Sequence, residues 1–131
     1  KTVKDENGVW SKPENLGSTI NSSFDEATPY ITEDREKFYF SSKGHRNMGG
    51  YDIFYSERKN SSWGKPVNMG YPINTTDNDK FFFPLKNGEI AYYPRIKPGN
   101  YGKTDIYKLE LYKRENIPVQ EEELNISGNK N

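Results

Sequence analysis

The feature that most constrains this chain is an internal repeat with a period of 53 residues. Residues 10–17 read Trp-Ser-Lys-Pro-Glu-Asn-Leu-Gly, and residues 63–70 read Trp-Gly-Lys-Pro-Val-Asn-Met-Gly. A gapless alignment of residues 10–57 with residues 63–110 gives 14 identities in 48 columns. A repeat of this length indicates a supersecondary unit that stacks on its neighbours because it cannot bury its apolar face alone.

Each repeat is predicted to form strands. No window places apolar residues at the helical spacing over three turns, and short aromatic runs alternate with Gly-, Asn- and Pro-rich turns. The run Phe81–Phe83 is aromatic at consecutive positions, which predicts sheets covered on both faces, since a sheet with one wet face alternates polar and apolar residues. We expect strands near Thr28–Thr32, Lys37–Ser41, Asp52–Arg58 and Lys65–Asn68.

Composition narrows the class of protein. With 131 residues the chain has room for one ordinary domain. An aromatic share of 15% argues against disorder, and no apolar run is long enough to span a membrane. The 19 basic and 19 acidic residues cancel, so there is no basic excess for nucleic acid. The absence of Cys excludes disulfides, thiolate metal sites and cysteine nucleophiles.

The repeat and the strands together predict an all-β fold of the β-propeller type. A propeller blade has four strands and packs between two neighbouring blades. We expect the end of one blade in residues 1–24, a full blade in 25–76 and a last blade in 77–111. This is a partial propeller of about two and a half four-stranded blades at the C-terminal end of an array. Residues 112–131 are charged, lack phenylalanine and tryptophan, and are predicted to be a linker towards a following domain.

The chain begins at Lys1 with neither Met nor an apolar leader, and we expect it to be a piece of a longer or processed protein. The next Trp of the repeat would fall at Asn116, and no Lys-Pro-x-Asn-x-Gly follows it, so the array is expected to end there. A closed propeller needs about four to eight blades. If an upstream strand closes the ring, the last blade must lack an outer strand of its own.

The motifs Glu36–Ser42, Gly49–Phe54 and Trp63–Gly70 resemble the WD40-like (TolB-type) propeller repeat. More narrowly, they are similar to the repeats of OmpA-family envelope proteins of Gram-negative bacteria, and to arrays in the type IX secretion and gliding machinery. Two pairs depart from the pattern in the last copy, Lys103-Thr104 and Pro94-Arg95, and these departures suit a terminal blade.

The resemblance implies a non-enzymatic scaffold that mediates protein–protein interaction in the cell envelope. It would lie in the periplasm or beside the outer membrane, as part of a larger OmpA-like, peptidoglycan-associated protein. Its partners would be other envelope proteins, and peptidoglycan would be bound only through a neighbouring domain. Two alternatives remain open: a carbohydrate- or peptide-binding propeller, and the non-catalytic propeller cap of a serine peptidase.

Residues for catalysis or metal binding are few. The single histidine, His45, lies in a turn-rich segment and is predicted to be a surface loop residue. No nucleophile motif of the G-x-S-x-G type is present. The acidic run 77–79 offers too few oxygens for a hard cation, so these side chains are expected to accept hydrogen bonds from backbone N–H groups. We therefore predict no enzyme activity, no metal and no cofactor.

Four residues are the candidates for contact with a partner. Arg46 and Arg95 lie in or near inter-strand loops, where propeller ligands usually bind. Trp10 and Trp63 could stack on sugars, although a position that recurs in the repeat favours packing. A second group is predicted to be structural because it recurs in the repeat: Asn21, Asn74, Asp52, Asp105, Gly49 and Gly102. Within it, the two aspartates are expected to fix the turns before their strands.

Overall fold

The computed structural model describes residues 1–85 and 88–111 of the chain. These residues form an all-β structure with no α-helix, which confirms the predicted fold class at that level. The predicted linker, residues 112–131, lies outside the described residues. All strand pairs are antiparallel.

The first sheet is built from the earlier repeat. Its strand order is β1-β2-β3-β4, and β5 also pairs with β3. Because β4 and β5 pair with different halves of β3, they form one interrupted outer edge. The strands lie close to their predicted positions: β1 Glu26–Ile31, β2 Lys37–Ser42, β3 Asp52–Lys59, β4 Ser62–Trp63 and β5 Val67–Asn68.

The second sheet is built from the later repeat and has the order β6-β7-β8. Its strands are β6 Phe83–Leu85, β7 Ile90–Arg95 and β8 Asp105–Glu110. A backbone hydrogen bond between β3 and the residue before β2 recurs in the second sheet. Arg58 N–H donates to Glu36 O at 2.8 Å, and Leu111 N–H donates to Glu89 O at 2.8 Å, each 53 residues later.

The two sheets stack face to face through an aromatic cluster. Tyr39 and Ile53 from the first sheet bury against Phe82, Ala91 and Tyr93 of the later repeat. The ring centroids of Tyr39 and Phe82 are 5.3 Å apart. Burial of these large side chains stabilises the pair of sheets, since each fully buried aromatic or aliphatic side chain contributes about 1.5–3 kcal/mol.

Part of the other face of the first sheet is covered by the end of the N-terminal segment, which comprises residues 1–24. Ile20 from this segment buries against Phe38, Phe40 and Phe54 of the sheet. Ile20 is the repeat equivalent of Ile73, which packs in the cluster between the two sheets. Consecutive aromatic residues in β2 are therefore buried on opposite faces, as expected for a sheet covered on both sides.

The second sheet departs from that expectation. Of the run Phe81–Phe83 only Phe82 is buried, and its two neighbours are about half exposed. The prediction of two covered faces is wrong for this run, because no described residues form a further sheet over its outer face. The burial pattern of β8 alternates accordingly between half-buried and exposed positions.

An irregularity in the first strand also recurs with the repeat. The β1–β2 register shifts by one residue between Ala27 and Tyr30, and Thr28 within the bulge has a φ of 49°. Phe81, 53 residues later, has a φ of 61°. Positive φ is uncommon for residues with a side chain and is a clear outlier for a β-branched threonine. The shared outlier indicates that the two repeats have the same backbone path, not only related sequences.

Candidate functional site

The recurring residues of the repeat meet at one end of the two sheets, which we call the loop end. It comprises the connections before β1 (residues 17–25), after β2 (43–51), before β6 (70–80) and after β7 (96–104). Antiparallel pairing brings these connections together, since β1 and β3 start where β2 stops. The side chains at this end bond mainly to backbone groups of neighbouring connections.

Asn74 joins the connection before β6 to strand β3. Ile53 N–H donates to Asn74 Oδ1 at 2.8 Å, and Asn74 Nδ2 donates to Ile53 O at 2.8 Å. Asn74 Nδ2 also donates to Asn68 Oδ1 at 2.8 Å. Asn74 is fully buried, and its amide takes the place of a further strand at Ile53. A buried polar group is stable only when hydrogen-bonded in this way.

Asn21 makes the first part of the same network in the earlier copy. Asn21 Nδ2 donates to Asn15 Oδ1 at 2.8 Å, as Asn74 does to Asn68. The same Asn15 oxygen accepts from Gly17 N–H at 2.8 Å, and the Asn68 oxygen accepts from Gly70 N–H at 2.7 Å. Residues 1–6 correspond to Phe54–Lys59 of β3, and residues 1–4 pair with residues 10–14. The position equivalent to Ile53 falls just before Lys1, so Asn21 has no counterpart of Ile53 among the described residues.

The two aspartates accept hydrogen bonds from the loop before their strands. Asp52 Oδ2 accepts from Met48 N–H at 2.7 Å, and Asp105 Oδ2 accepts from Tyr101 N–H at 2.8 Å. Asp52 is fully buried, and Asn68 Nδ2 also donates to its Oδ2 at 2.8 Å. Among the described residues its Oδ1 has no partner, whereas Asp105 Oδ1 accepts from Gly102 N–H at 3.2 Å.

Asp79, in the acidic run that was predicted to accept hydrogen bonds from backbone N–H groups, recurs in the repeat as Glu26. Asp79 Oδ2 accepts from Thr75 N–H at 2.6 Å and from Thr75 Oγ1 at 3.0 Å. Its repeat equivalent Glu26 accepts through Oε1 from Ser22 Oγ at 2.6 Å. Burial raises the pKa of the Asp79 carboxyl, the hydrogen bonds from Thr75 oppose this, and the nearby Asp52 carboxylate adds to the rise. The conserved hydroxyl-acid spacing of four residues in both copies is the sequence signal for this pair.

Gly49 allows the connections to approach closely. A Cβ at Gly49 would lie 2.5 Å from the backbone carbonyl carbon of Thr76, so any larger residue would push the two connections apart. The equivalent Gly102 has only the Asp105 carboxylate nearby, at 3.8 Å. The difference follows from the fact that no described connection lies over Gly102.

Arg46 lies on the connection after β2, and Arg95 is the last residue of β7. Both contact the segment between them. Asn68 Nδ2 donates to the backbone oxygen of Arg46 at 3.1 Å. The Arg95 guanidinium donates to the Pro72 carbonyl and to the hydroxyl of Tyr93, so its side chain is held against the loop. Arg46 itself is exposed, and no hydrogen bond or ion pair of its side chain is found within the described residues. The structure does not bring the two guanidinium groups into contact.

A cation–aromatic cluster at the same end was not predicted. Lys80 Nζ lies 3.8 Å and Lys43 Nζ 4.8 Å from the ring centroid of Tyr51. Asp25 Oδ2 accepts from Lys43 Nζ at 2.8 Å, and this hydrogen bond and charge lower the pKa of the exposed Asp25 carboxyl. Only the Gly-Gly-Tyr-Asp turn of the first copy carries the tyrosine, so the repeat gives no signal for this cluster.

A cavity of about 260 Å³ opens beside this cluster. It is lined by three cationic side chains, Lys80, Arg95 and Lys97, together with acidic, hydroxyl and apolar groups of the connections before β6 and after β7. Within the described parts of the chain, no group of three His, Cys, Asp or Glu side chains could hold a metal ion. Because Lys80, Arg95 and Lys97 line it, the cavity offers positive charge and hydrogen-bond donors to a ligand.

The two tryptophans, expected to be equivalent, have different surroundings. The ring of Trp63 packs on Phe38 at a centroid distance of 5.4 Å, with the Arg58 guanidinium 5.9 Å from the ring. Trp10 is 63% exposed, and Lys4 Nζ lies 5.5 Å from the centroid of its ring. Among the described residues, no aromatic ring packs on Trp10 as Phe38 packs on Trp63.

His45 lies in the loop after β2, as predicted, but it has a structural role there and is half-buried rather than on the surface. Its ring is half-buried against Phe54 at a centroid distance of 5.3 Å and against Phe40 at 5.8 Å. Its Nε2–H donates to Ile20 O at 2.9 Å, because a carbonyl oxygen can only accept. His45 thereby ties the connection after β2 to the N-terminal segment.

No protein family, no curated protein and no solved structure shows significant similarity to this chain. No helix formed by the described residues is long and apolar enough to cross a membrane.

Proposed function

We propose that residues 1–111 are the C-terminal part of a β-propeller that acts as a non-enzymatic scaffold for protein–protein interaction in the bacterial cell envelope. The segments 1–24, 25–76 and 77–111 would then be the end of one blade, a full blade and the last blade. In this proposal the chain belongs to a larger OmpA-like, peptidoglycan-associated protein of the periplasm or outer membrane, related to components of type IX secretion.

The observation that carries the proposal is the recurrence of one hydrogen-bond set in consecutive repeats. Asn21 and Asn74, with Asn15 and Asn68, make the same bonds 53 residues apart. Stacking of the first sheet on the second uses one face of each, as blades do in a propeller. The envelope assignment is supported by the resemblance of the repeat motifs to OmpA-family proteins.

The scaffold role is supported by the chemistry of the loop end. Its acidic and amide side chains are engaged in backbone hydrogen bonds, which hold the connections in fixed positions. Cationic and aromatic groups remain on the outside, among them Arg46 and Lys80 beside Tyr51. A rigid surface of this kind suits recognition of an acidic protein partner, because complementary charge steers and orients association.

Capture from an envelope extract tests the scaffold role. The chain is immobilised and compared with Arg46→Glu at the loop end and with Lys59→Glu, the same charge reversal at the opposite end of β3. We expect the natural chain and Lys59→Glu to retain the same envelope protein and Arg46→Glu to lose it. Failure to retain any envelope protein, or equal retention by Arg46→Glu, would contradict the proposal.

The propeller arrangement has a separate test. A structure of the longer polypeptide is expected to show the sheets arranged radially about one axis, each packed on the next as the two sheets are here. A closed sandwich of these two sheets alone would contradict it.

One observation favours a second candidate, the ligand-binding propeller. The cavity of about 260 Å³ lined by Lys80, Arg95 and Lys97 fits a small anionic group. Calorimetric titration with a carboxylate-bearing glycan or peptide would show binding that Lys97→Ala weakens. Absence of binding heat for both classes of ligand would remove this candidate.

A further inference from the structure

The loop end carries exposed apolar side chains on three consecutive connections. Phe24 lies before β1, Met48 after β2 and Tyr71 before β6, and their exposed fractions range from 48% to 77%. Single exposed apolar residues are ordinary on a protein surface, but a group of them at one place marks a contact with a protein or a membrane. The loop end therefore has an apolar component that its hydrogen bonds do not use.

This exposure persists where the neighbouring connections are in place. On one side of the connection after β2, Lys43 N–H donates to Asp25 O at 3.0 Å. On the other side, Gly50 N–H donates to Asp77 O at 3.1 Å. The methionine between these two bonds is exposed all the same, and so is the side chain of Asp77, the repeat equivalent of Phe24. The apolar side chains therefore lie on the outside of packed connections.

Buried hydrogen bonds hold these connections in place. The side chain of Asn74 binds both backbone groups of Ile53, and we call this contact the amide clamp. Met48 N–H donates to the buried carboxylate of Asp52 at 2.7 Å. Side chains on an ordered backbone lose less freedom when they bind, so the loop end is prepared for contact with another surface.

Cationic side chains accompany the apolar ones. The four connections of the loop end carry five lysine and arginine residues and three aspartates. One of the aspartates, Asp79, is buried, and another, Asp25, is paired with Lys43. The turn between β1 and β2, at the opposite end of the first sheet, has the other sign and reads Glu33-Asp34-Arg35-Glu36. The first sheet thus has a cationic, partly apolar end and an acidic end.

We propose that the loop end binds the surface of an anionic lipid membrane. Phe24, Met48 and Tyr71 would lie at the level of the headgroups, and the lysine and arginine side chains would contact the lipid phosphates. Aromatic side chains are enriched at membrane interfaces, and anionic lipids attract Lys and Arg that lie near the surface. The inference goes beyond the proposed function, which names a protein partner for the same loop end.

The placement of the apolar side chains favours a lipid surface over a protein partner. Each of the three belongs to a different connection, so they form separate protrusions. A protein partner would need a matching pocket for each of them, because binding hot spots lie in well-packed pockets. A lipid interface needs no such match, since binding there depends on apolar area and on charge. The acidic turn orients the chain, because an anionic surface repels it.

Co-sedimentation with vesicles tests the charge requirement. The natural chain is mixed with vesicles of phosphatidylcholine and phosphatidylglycerol, and with vesicles of phosphatidylcholine alone. We expect binding to the anionic vesicles, weakened by added salt because salt screens exposed charges. Arg46→Glu should weaken this binding at least about fivefold, whereas Lys59→Glu at the opposite end of β3 should bind as the natural chain does. Equal binding to the two kinds of vesicle, or equal effects of the two charge reversals, would overturn the proposal.

Two double variants test the apolar requirement. Phe24→Ser with Met48→Ser removes apolar side chains from the loop end, and Ile31→Ser with Leu85→Ser removes exposed ones from the opposite ends of β1 and β6. We expect the first double variant to bind anionic vesicles at least about tenfold more weakly and the second to bind as the natural chain does. Circular dichroism should show that both are folded. Equal binding by the two would contradict a contact through the loop end.

A fluorescent label reports the orientation with less change to the surface. Because the chain has no cysteine, Met48→Cys and Ile31→Cys each provide a single labelling site. On anionic vesicles, a polarity-sensitive fluorophore at the first site should shift its emission to the blue, and one at the second site should not. Equal shifts at the two sites, or no shift at either, would overturn the proposal.

Failure of this proposal is distinguishable from failure of the scaffold role, because the vesicles contain no protein. A folded chain that binds no anionic vesicle but captures an envelope protein would overturn the membrane contact and leave the loop end as a protein-binding surface. A chain that binds the vesicles but captures no envelope protein would contradict only the scaffold role.

Discussion

The two sheets carry related residues at equivalent positions and bury them very differently. Tyr39 is 6% exposed and its equivalent Tyr92 is 41% exposed. Ile53 is 1% exposed, whereas Ile106 is 79% exposed. The first sheet lies between the N-terminal segment and the second sheet, and the second sheet has only one covered face among the described residues. Burial at a repeat position is thus set by the neighbouring sheet rather than by the residue type.

The polar positions show the same contrast. Asn74 uses its amide for three hydrogen bonds and is fully buried, whereas the Asn21 amide makes one and is half-buried. Gly49 is pressed against a neighbouring connection, and Gly102 is not. The comparison predicts that matched substitutions in the two copies have unequal effects.

The largest difference is expected for the aromatic pair Phe54 and Tyr107. Phe54 is buried against Phe40 and His45, so Phe54→Ala should lower the free energy of unfolding by about 3–5 kcal/mol. Tyr107 is only partly buried, and Tyr107→Ala should cost about 1–3 kcal/mol. Urea denaturation measures both values. Equal losses would break the comparison, since they would mean that Tyr107 is packed as tightly as Phe54.

The asparagines should give the next largest difference. Asn74→Ala leaves the buried N–H of Ile53 without a partner and removes one of the two donors to the Ile53 carbonyl, the other being Met69 N–H, at a cost of about 2–4 kcal/mol. Asn21→Ala removes one amide hydrogen bond at a more accessible position and should cost about 1 kcal/mol or less. The same denaturation experiment compares them, with Asn74→Asp as a variant that keeps the acceptor. A smaller loss for Asn74→Ala than for Asn21→Ala would contradict the assignment of the amide clamp.

The tryptophans provide a smaller contrast. Trp63→Ala removes a ring that packs on Phe38 and should destabilise the chain by about 1–2 kcal/mol. Trp10→Ala removes a largely exposed ring and should change the free energy of unfolding by less than about 0.5 kcal/mol. Fluorescence of the remaining tryptophan follows unfolding in each variant. A larger effect for Trp10→Ala would show that this ring is packed in solution.

The smallest effect concerns pH. Burial raises the pKa of Asp79 in the folded chain, so the folded state holds this proton more tightly than the unfolded state. Stability is then lost as pH rises from the ordinary aspartate pKa to the raised value. The Asp79→Asn variant lacks this loss. The difference between its free energy of unfolding and that of the natural chain should therefore rise with pH between the two pKa values and stay constant above them.

Asp25 is the control for that measurement, because its pKa is lowered by Lys43. Its contribution to stability is present above the ordinary aspartate pKa and is lost as pH falls through the lowered value. Asp25→Asn should therefore lose stability relative to the natural chain as pH rises, with the opposite sign to Asp79→Asn. Parallel pH profiles for the two variants would contradict the assignment of the Asp79 shift to burial.

Much of the fold follows from local pattern and from the repeat. The aromatic runs predicted β2 and β3 closely, and the 53-residue offset makes Asn21 the equivalent of Asn74. Contacts between distant segments could not be predicted in this way. The clamp of Asn74 on Ile53 spans 21 residues, and the bond from His45 to Ile20 spans 25. Both depend on how the connections pack at the loop end, which no local periodicity encodes.

Nuclear Overhauser contacts in the natural chain test the central claim, that successive repeats stack through the same faces and are joined by the amide clamp. The account predicts cross-peaks between the rings of Tyr39 and Phe82, whose centroids are 5.3 Å apart, and between the Asn74 side-chain amide and the Ile53 backbone amide. A well-dispersed spectrum of the folded chain that shows neither contact would contradict it.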